Sequence, residues 1–480
     1  MELAAILIVP ALASLLCLSR LGRRFAASIT LAGSVIVFAL TLIVAGQAAH
    51  GAEIQTFSGW LTTDGLGALI LLLVGFVGAA AALYSFGYIR MRAAHEPRKE
   101  QHYYVLYNLF LLSLVAVPIL ANVALMWVAV ELTTLLSAFL VGFEDTPGAL
   151  EAAWKYVVLT TLGAVLALLG FLLLYWGSRV AGLEPFTWAG LVKAAPEMPP
   201  AILWPAFLFV LVGFGTKVGL VPMHTWLPDA HSQAPASICA LLSGVETTVV
   251  LYVILRLFPV IGGSPALDAR PWFIGFGLLS VAVATLLLIY ARDFKRLFAF
   301  STVEHMGIIL FAAGLGGTAA HLGAAYQMVG HTLGKSFCFF AAGMIAVSFQ
   351  TQEIAAIKGL GRKLPFTALA LAGGAFAIVG APPFAVFVSE LTIFKAGIVG
   401  GYYIPIALLA IFIVIAFCAV IYHVNSMVFG ASEGNAPLKP TPLSSRLTLV
   451  VAAIPLVIIG IYTPTVLQAL VRAAAAAMGG

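Results

Sequence analysis

The chain has 480 residues, is 62% hydrophobic and 9% charged, and carries a formal net charge of +5 at a mean hydropathy of +1.08. Soluble domains are about 25% charged, so this composition excludes a soluble globular protein and predicts an all-α polytopic membrane protein. The basic excess does not signal nucleic-acid binding, because most Lys and Arg residues fall at the ends of apolar runs. Cys17, Cys239, Cys338 and Cys418 each stand alone in an apolar stretch, so no zinc or iron–sulfur ligand spacing is present.

A transmembrane helix needs about 20 apolar residues, and the apolar runs predict about fourteen helices. They span 2–19, 25–49, 64–89, 102–120, 122–143, 151–177, 202–232, 235–258, 271–291, 297–315, 319–350, 364–399, 402–429 and 445–472. The first run lacks a basic stretch before it and is followed by Arg20, Arg23 and Arg24, so it reads as a retained helix rather than a cleaved signal.

The positive-inside rule tests this count, since one missed helix would invert every later loop. With the Arg20–Arg24 loop inside, 15 of the 24 Lys and Arg residues are cytoplasmic and only Arg179, Lys193, Arg270 and Arg472 lie outside. Both termini are then expected on the outer side. Lys155, Lys217, Arg256, Lys335 and Lys395 remain. Lys155, Arg256 and Lys395 can snorkel toward an interface, whereas Lys217 and Lys335 lie deep in their helices. An ionisable residue at membrane depth costs roughly 2.5–3.5 kcal/mol on insertion scales and marks a functional site.

Two helices are interrupted. The run LVGFGTKVGLVPMHTWLPDAHSQAP at 211–235 breaks at Gly219 and Pro222 beside Lys217, and the run at 364–399 breaks at Gly380, Pro382 and Pro383 before Glu390. Inside a bilayer such breaks are tolerated only where they face protein or a water-filled cavity. Five helices separate the two, so the corresponding units would run in opposite directions, the arrangement of inverted-repeat transporters. The expected units are N-terminal helices at 1–101, a first repeat at 102–258, a second at 271–429 and a C-terminal helix at 445–480.

The charged residues form a series. Glu131 sits mid-helix with Lys217 as its expected partner, and a pair whose distance changes alters how tightly the lysine holds its proton. Glu246 follows, then His331 and Lys335, four apart and so on one helix face, and finally Glu390 beyond the second break. His224, His231, Thr248 and His305 are further candidate relay residues. Structural pairing alone is the bland alternative, under which the chain would be an anchor and the charges would only hold helices together.

The motifs FGTKVGLVPMHTWLPDAHSQAP (214–235), WVAVELTTLLSAF around Glu131, RDFKRLFAFSTVEHMG (292–307) and HTLGKSFCFF (331–340) resemble the antiporter-like subunits shared by respiratory complex I, membrane-bound hydrogenases of the hydrogenase-4 and formate hydrogenlyase group, and Mrp-type cation/proton antiporters. STVEHMGIILF is most similar to the component F branch of the hydrogenase-4 group. The resemblance implies a proton- or Na⁺-translocating subunit of the prokaryotic cell membrane with no cofactor of its own. Nickel–iron and iron–sulfur centres would belong to partner subunits of a hydrogenase-like or complex I-like assembly. It further implies that Glu131 and Lys217 form a modulating pair, Lys335 with His331 a central relay and Glu390 the terminal group. A helix-8 lysine frequent in relatives is replaced by Thr248 here, and either Glu246 substitutes for it or waters held by Thr247 and Thr248 bridge the gap. An Mrp-type Na⁺/H⁺ antiporter subunit and a subunit of NADH:quinone oxidoreductase are the alternatives within the family.

Overall fold

The computed structural model describes residues 1–20, 22–93, 96–182, 186–431 and 438–479, with the side chain of Arg23 outside that description. The chain opens with α1 (Glu2–Leu18) and α2 (Gly22–Ala49), followed by a small hairpin of β1 (Ile54–Thr56) and β2 (Leu61–Thr63) in which Ile54 pairs with Thr63. Asp64 caps α3 (Gly65–Arg92) by accepting from the Gly67 amide at 3.0 Å. Next come α4 (Pro97–Ala116), α5 (Val123–Val141), α6 (Pro147–Val180) and the short α7 (Trp188–Ala194). The first broken helix is α8 (Pro200–Val218) with α9 (Trp226–Gln233).

The next run comprises α10 (Ala236–Leu241), a π turn over Leu242–Glu246, α11 (Thr247–Leu255) and α12 (Leu257–Gly262). It leads into α13 (Arg270–Ile289), α14 (Phe294–Leu315), α15 (Gly317–Phe349) and the short α16 (Leu360–Lys363). The second broken helix is α17 (Pro365–Ile378) with α18 (Ala385–Val399), and α19 (Tyr403–Phe429), α20 (Leu443–Ile461) and α21 (Thr465–Ala477) complete the chain.

Eleven of the described helical runs are long and apolar enough to cross a membrane. Their burial varies widely. The most apolar stretch of 236–262 is wholly buried and those of α14 and α15 are 94% and 89% buried, whereas those of α19 and α20 are only 28% buried. The outer helices show Leu162, Leu172, Ile404 and Val414 to their surroundings, as a lipid-facing surface requires. The inner three carry the polar residues Glu246, Glu304, His305, His331 and Lys335, all buried.

The single helix expected at 445–472 is two helices. Tyr462 is extended and Pro464, which has no amide proton to donate, starts a new helix in α21. That helix buries Leu470, Val471, Ala474 and Ala475 and packs on α3 and α15.

Both expected breaks are present and share a local geometry. Gly219 (φ +84°) and Gly380 (φ +69°) are left-handed, a conformation in which a Cβ is disfavoured. The next amide reaches back five residues, Leu220 to Gly215 O and Ala381 to Phe376 O, and a three-residue turn follows, Met223 to Leu220 O and Phe384 to Ala381 O. One carbonyl at the end of each interrupted helix takes a side-chain donor. Trp226 Nε1 donates to Thr216 O at 2.7 Å in the first, and His305 Nε2 lies 2.8 Å from Ile378 O in the second. A Cβ at Gly380 would also run into the Glu390 carboxylate.

Gly219→Ala and Gly380→Ala are therefore expected to destabilise the chain by about 1–3 kcal/mol each. Gly373→Ala is the control, since a Cβ there meets nothing within 4 Å and the site is helical; it should be neutral or stabilising by about 0.5–1 kcal/mol. Thermal melting of the detergent-solubilised protein orders the three.

Candidate functional site

Lys217 lies in the last turn of α8, where the helix dipole favours a cation. Its ammonium donates to Thr134 Oγ1 at 2.6 Å, Glu246 Oε1 at 2.8 Å and Tyr156 OH at 3.3 Å, and it lies 5.5 Å from the centre of the Tyr156 ring. All three ammonium protons are thus used. Tyr156 OH in turn donates to Glu246 Oε1 at 3.0 Å and meets Ser137 Oγ at 2.8 Å. The side chains of Lys217 and Glu246 are 0% and 4% exposed, so this is a buried ion pair closed by hydroxyls.

The expected Glu131–Lys217 pair is not formed. Glu131 Oε1 accepts from Thr161 Oγ1 at 2.8 Å across to α6, and its Oε2 is buried without a partner. The reason lies in the π turn. In it the Thr247 amide bonds to Leu242 O, five residues back, which inserts one residue into the helix and places Glu246 opposite Lys217.

The same turn reaches α15 on its other side. Its widened backbone leaves carbonyls that take side-chain donors: His331 Nε2 lies 2.9 Å from Ser243 O, and Thr332 Oγ1 donates to Gly244 O at 2.7 Å. Ser243 Oγ meets Thr302 Oγ1 of α14 at 2.7 Å, and Thr302 Oγ1 is 3.1 Å from Phe298 O. Phe298 O also accepts from Lys335 Nζ at 3.2 Å. Lys335 is fully buried and this is the one hydrogen bond found for it among the described residues.

From His331 the row continues to α18. The His305 ring lies 5.2 Å from that of His331, its Nδ1 is 3.1 Å from Gln327 Nε2, and Gln327 Oε1 accepts from Ser389 Oγ. Ser389 adjoins Glu390, which lines a cavity of about 190 Å³ with Gly380, Phe387, Phe394 and Phe417. Glu304 is buried on α14, beside His305.

Of the residues singled out in the sequence, the structure brings Lys217, Glu246, His331, Lys335 and His305 to this row and sets Glu390 beside its end. Sequence reasoning missed Tyr156, Gln327, Ser389 and Glu304, of which only Glu304, beside His305 in STVEHMG, carried a signal. Three of the further candidates lie off the row. Thr248 Oγ1 turns back to Gly244 O at 3.4 Å, His224 is half-buried at the first break with Nδ1 unpartnered, and His231 Nδ1 is tied to Leu227 O at 2.7 Å. The RDFKR motif has a structural use: Asp293 caps α14, and buried Lys295 donates to Ser232 O and Ala234 O at the end of α9. Lys155 and Arg296 meet on Asp229, and Arg256 makes a bidentate pair with Asp64.

Removing one member of a buried ion pair strands the other, at about 3–5 kcal/mol, whereas replacing both with apolar residues is often neutral. Glu246→Leu should therefore lower the melting temperature far more than Glu131→Leu. The double variant Lys217→Met/Glu246→Leu should recover most of the loss, and an additive double variant would contradict the pairing.

Residues 120–417 match the family described as NADH:quinone oxidoreductase/Mrp antiporter, TM. A hydrogenase-4 component F homolog of Methylacidiphilum infernorum is 38% identical over 415 residues, which cover 84% of this chain and 85% of that protein. Two solved structures share the fold. A chain of the archaeal membrane-bound sulfane sulfur reductase matches at a TM-score of 0.88 and 23% identity over 100% of this chain and 98% of its own. A chain of the Mrp complex from Dietzia sp. DQ12-45-1b matches at 0.87 and 18% identity, over 99% and 97%. With its two broken helices and buried lysines, this chain belongs to the NADH:quinone oxidoreductase/Mrp antiporter transmembrane family.

Proposed function

We propose that the chain is the proton- or Na⁺-translocating membrane subunit of a hydrogenase-4-like complex, seated in the prokaryotic cell membrane with both termini on the outer side. The nickel–iron and iron–sulfur centres of such an assembly belong to its partner subunits. The observation that carries the reading is the row of buried polar groups from Lys217 and Glu246, past the π turn, to Lys335, His331, His305 and the neighbourhood of Glu390. An anchor needs charges to be paired, and Lys335 and Glu131 each leave hydrogen-bonding capacity unused.

The proposed step begins at Lys217. Its ammonium exchanges Glu246 for Glu131, whose Oε2 has no partner and which lies one helical turn from Thr134, already a Lys217 acceptor. Glu246 then carries an uncompensated charge beside the π turn, and the changed field favours a proton on Lys335. Reversal of the exchange sends that proton toward His331, His305 and Glu390. Redox chemistry in the partner subunits drives the exchange.

Replacing Lys335 with Met in the intact complex should reduce redox-driven ion translocation at least ~10-fold, the loss expected for a lost proton-transfer group, while the complex still assembles and turns over electrons. Flux into proteoliposomes, read with separate H⁺ and Na⁺ indicators, identifies the ion. Undiminished flux would overturn the reading, and Na⁺/H⁺ exchange without redox turnover would assign the chain to the Mrp-type antiporters instead.

A further inference from the structure

Gln327 occupies a place on the row where hydrogen-bond direction is fixed from outside. Ile378 O, the last carbonyl of α17, only accepts, so His305 Nε2, 2.8 Å away, must carry a proton. In neutral His305 the other nitrogen, Nδ1, is then a lone pair. It must face the amino end of the Gln327 amide, and the 3.1 Å contact to Nε2 is that arrangement. The carbonyl end of Gln327 consequently faces Ser389 and accepts its hydroxyl proton. Ser389 Oγ also lies 2.7 Å from Val386 O, and one hydroxyl proton serves one acceptor well at a time.

A second self-consistent arrangement exists. If His305 binds a proton at Nδ1, both ring nitrogens donate and the amino group of Gln327 can no longer face it. The amide must turn by half a rotation, so that Oε1 accepts from Nδ1 and Nε2 donates to Ser389 Oγ. Ser389 then sends its own proton to Val386 O. One proton is bound or released at Nδ1, and every other change is a re-aimed hydrogen bond. We propose that Gln327 is a positioning residue that gates His305, holding Nδ1 closed to protons in one amide orientation and stabilising the imidazolium in the other.

The location makes the turn consequential. His305 is tied to the end of α17, before the second break, and Ser389 lies in the second turn of α18 beyond it, next to Glu390. The two amide orientations therefore change the hydrogen bonding on both sides of the break at once. The charged and titratable groups around His305 are His331 and Lys335 from α15, Glu304 on its own helix and, beyond Ser389, Glu390 from α18. A Gln side chain carries no charge among these, which suits it to a gate that responds to His305 without competing for the proton.

The inference rests on the proposed translocation and has its own signature. Gln327→Met gives the imidazolium no acceptor and holds His305 neutral, whereas Gln327→Glu offers only acceptors and holds it protonated. Both should slow proton flux in proteoliposomes of the intact complex by about tenfold or more. Their pH–flux profiles should move in opposite directions by about one unit, Met toward lower and Glu toward higher pH. Ser389→Ala should slow flux less, and combined with Gln327→Met it should add nothing, because both cut the same link. Unchanged flux and pH profiles, shifts of the same sign, or an additive double variant would each overturn the gate. Lys335→Met, run alongside, separates the two ideas: if it pumps normally the translocation reading fails, and if it alone is inactive only the gate does.

Discussion

The buried contact between Lys217 and Glu246 is the constraint that the interior of this protein is arranged to meet. Two opposite charges at membrane depth are each costly to desolvate, and their attraction offsets that cost only when the remaining hydrogen-bonding capacity is also filled. Here it is filled by Thr134, Tyr156 and Ser137 from α5 and α6, so two further helices are held in register by one ammonium group. The π turn that aims Glu246 is held in turn by His331 and Thr332 from α15. The ion pair and the histidine of the second half therefore share one backbone feature.

The two broken helices look alike in their turns and differ in what closes them. Trp226 closes the first by an indole donor with no titratable proton. His305 closes the second, and its ring also faces His331 and Gln327. The backbone of the second break is thus tied to a residue that can gain or lose a proton. A structural necessity of the bilayer, that every freed carbonyl find a donor, becomes at the second break a connection between protonation and backbone.

Much of this was legible in the sequence. Hydropathy pointed to an all-helical membrane chain, and the glycine and proline pairs at 219–222 and 380–383 located both breaks. The buried lysines stood out because a charge in a run such as GHTLGKSFCFF has no lipid-facing explanation. The Lys217 partner was not legible. Spacing along one helix says which residues share a face, but which helix a face meets is set by packing, and a one-residue π insertion has no signature in LSGVETT. Uncharged groups were hidden for a related reason. Gln327, Ser389 and Tyr156 are ordinary residues along the chain, and only their juxtaposition makes them a row. The split of the last helix, by contrast, was readable at Pro464.

The two central lysines are held in opposite ways, and that difference fixes which of them can respond. Lys217 has every donor filled, so moving it without a replacement acceptor would leave Glu246 stranded, at about 3–5 kcal/mol. In the proposed exchange Glu131, whose buried Oε2 has no partner and which lies one helical turn from Thr134, would reduce that cost by offering a second anion before the first is given up. Among the described residues Lys335 has a single bond, to a backbone carbonyl, and no carboxylate in contact, so nothing comparable holds its proton. A change in the field from the Lys217 side therefore acts on a group already free to respond. In the proposed function the saturated lysine is the switch and the undersatisfied one the carrier, because only the first has two defined positions and only the second has a proton it can release without breaking an ion pair.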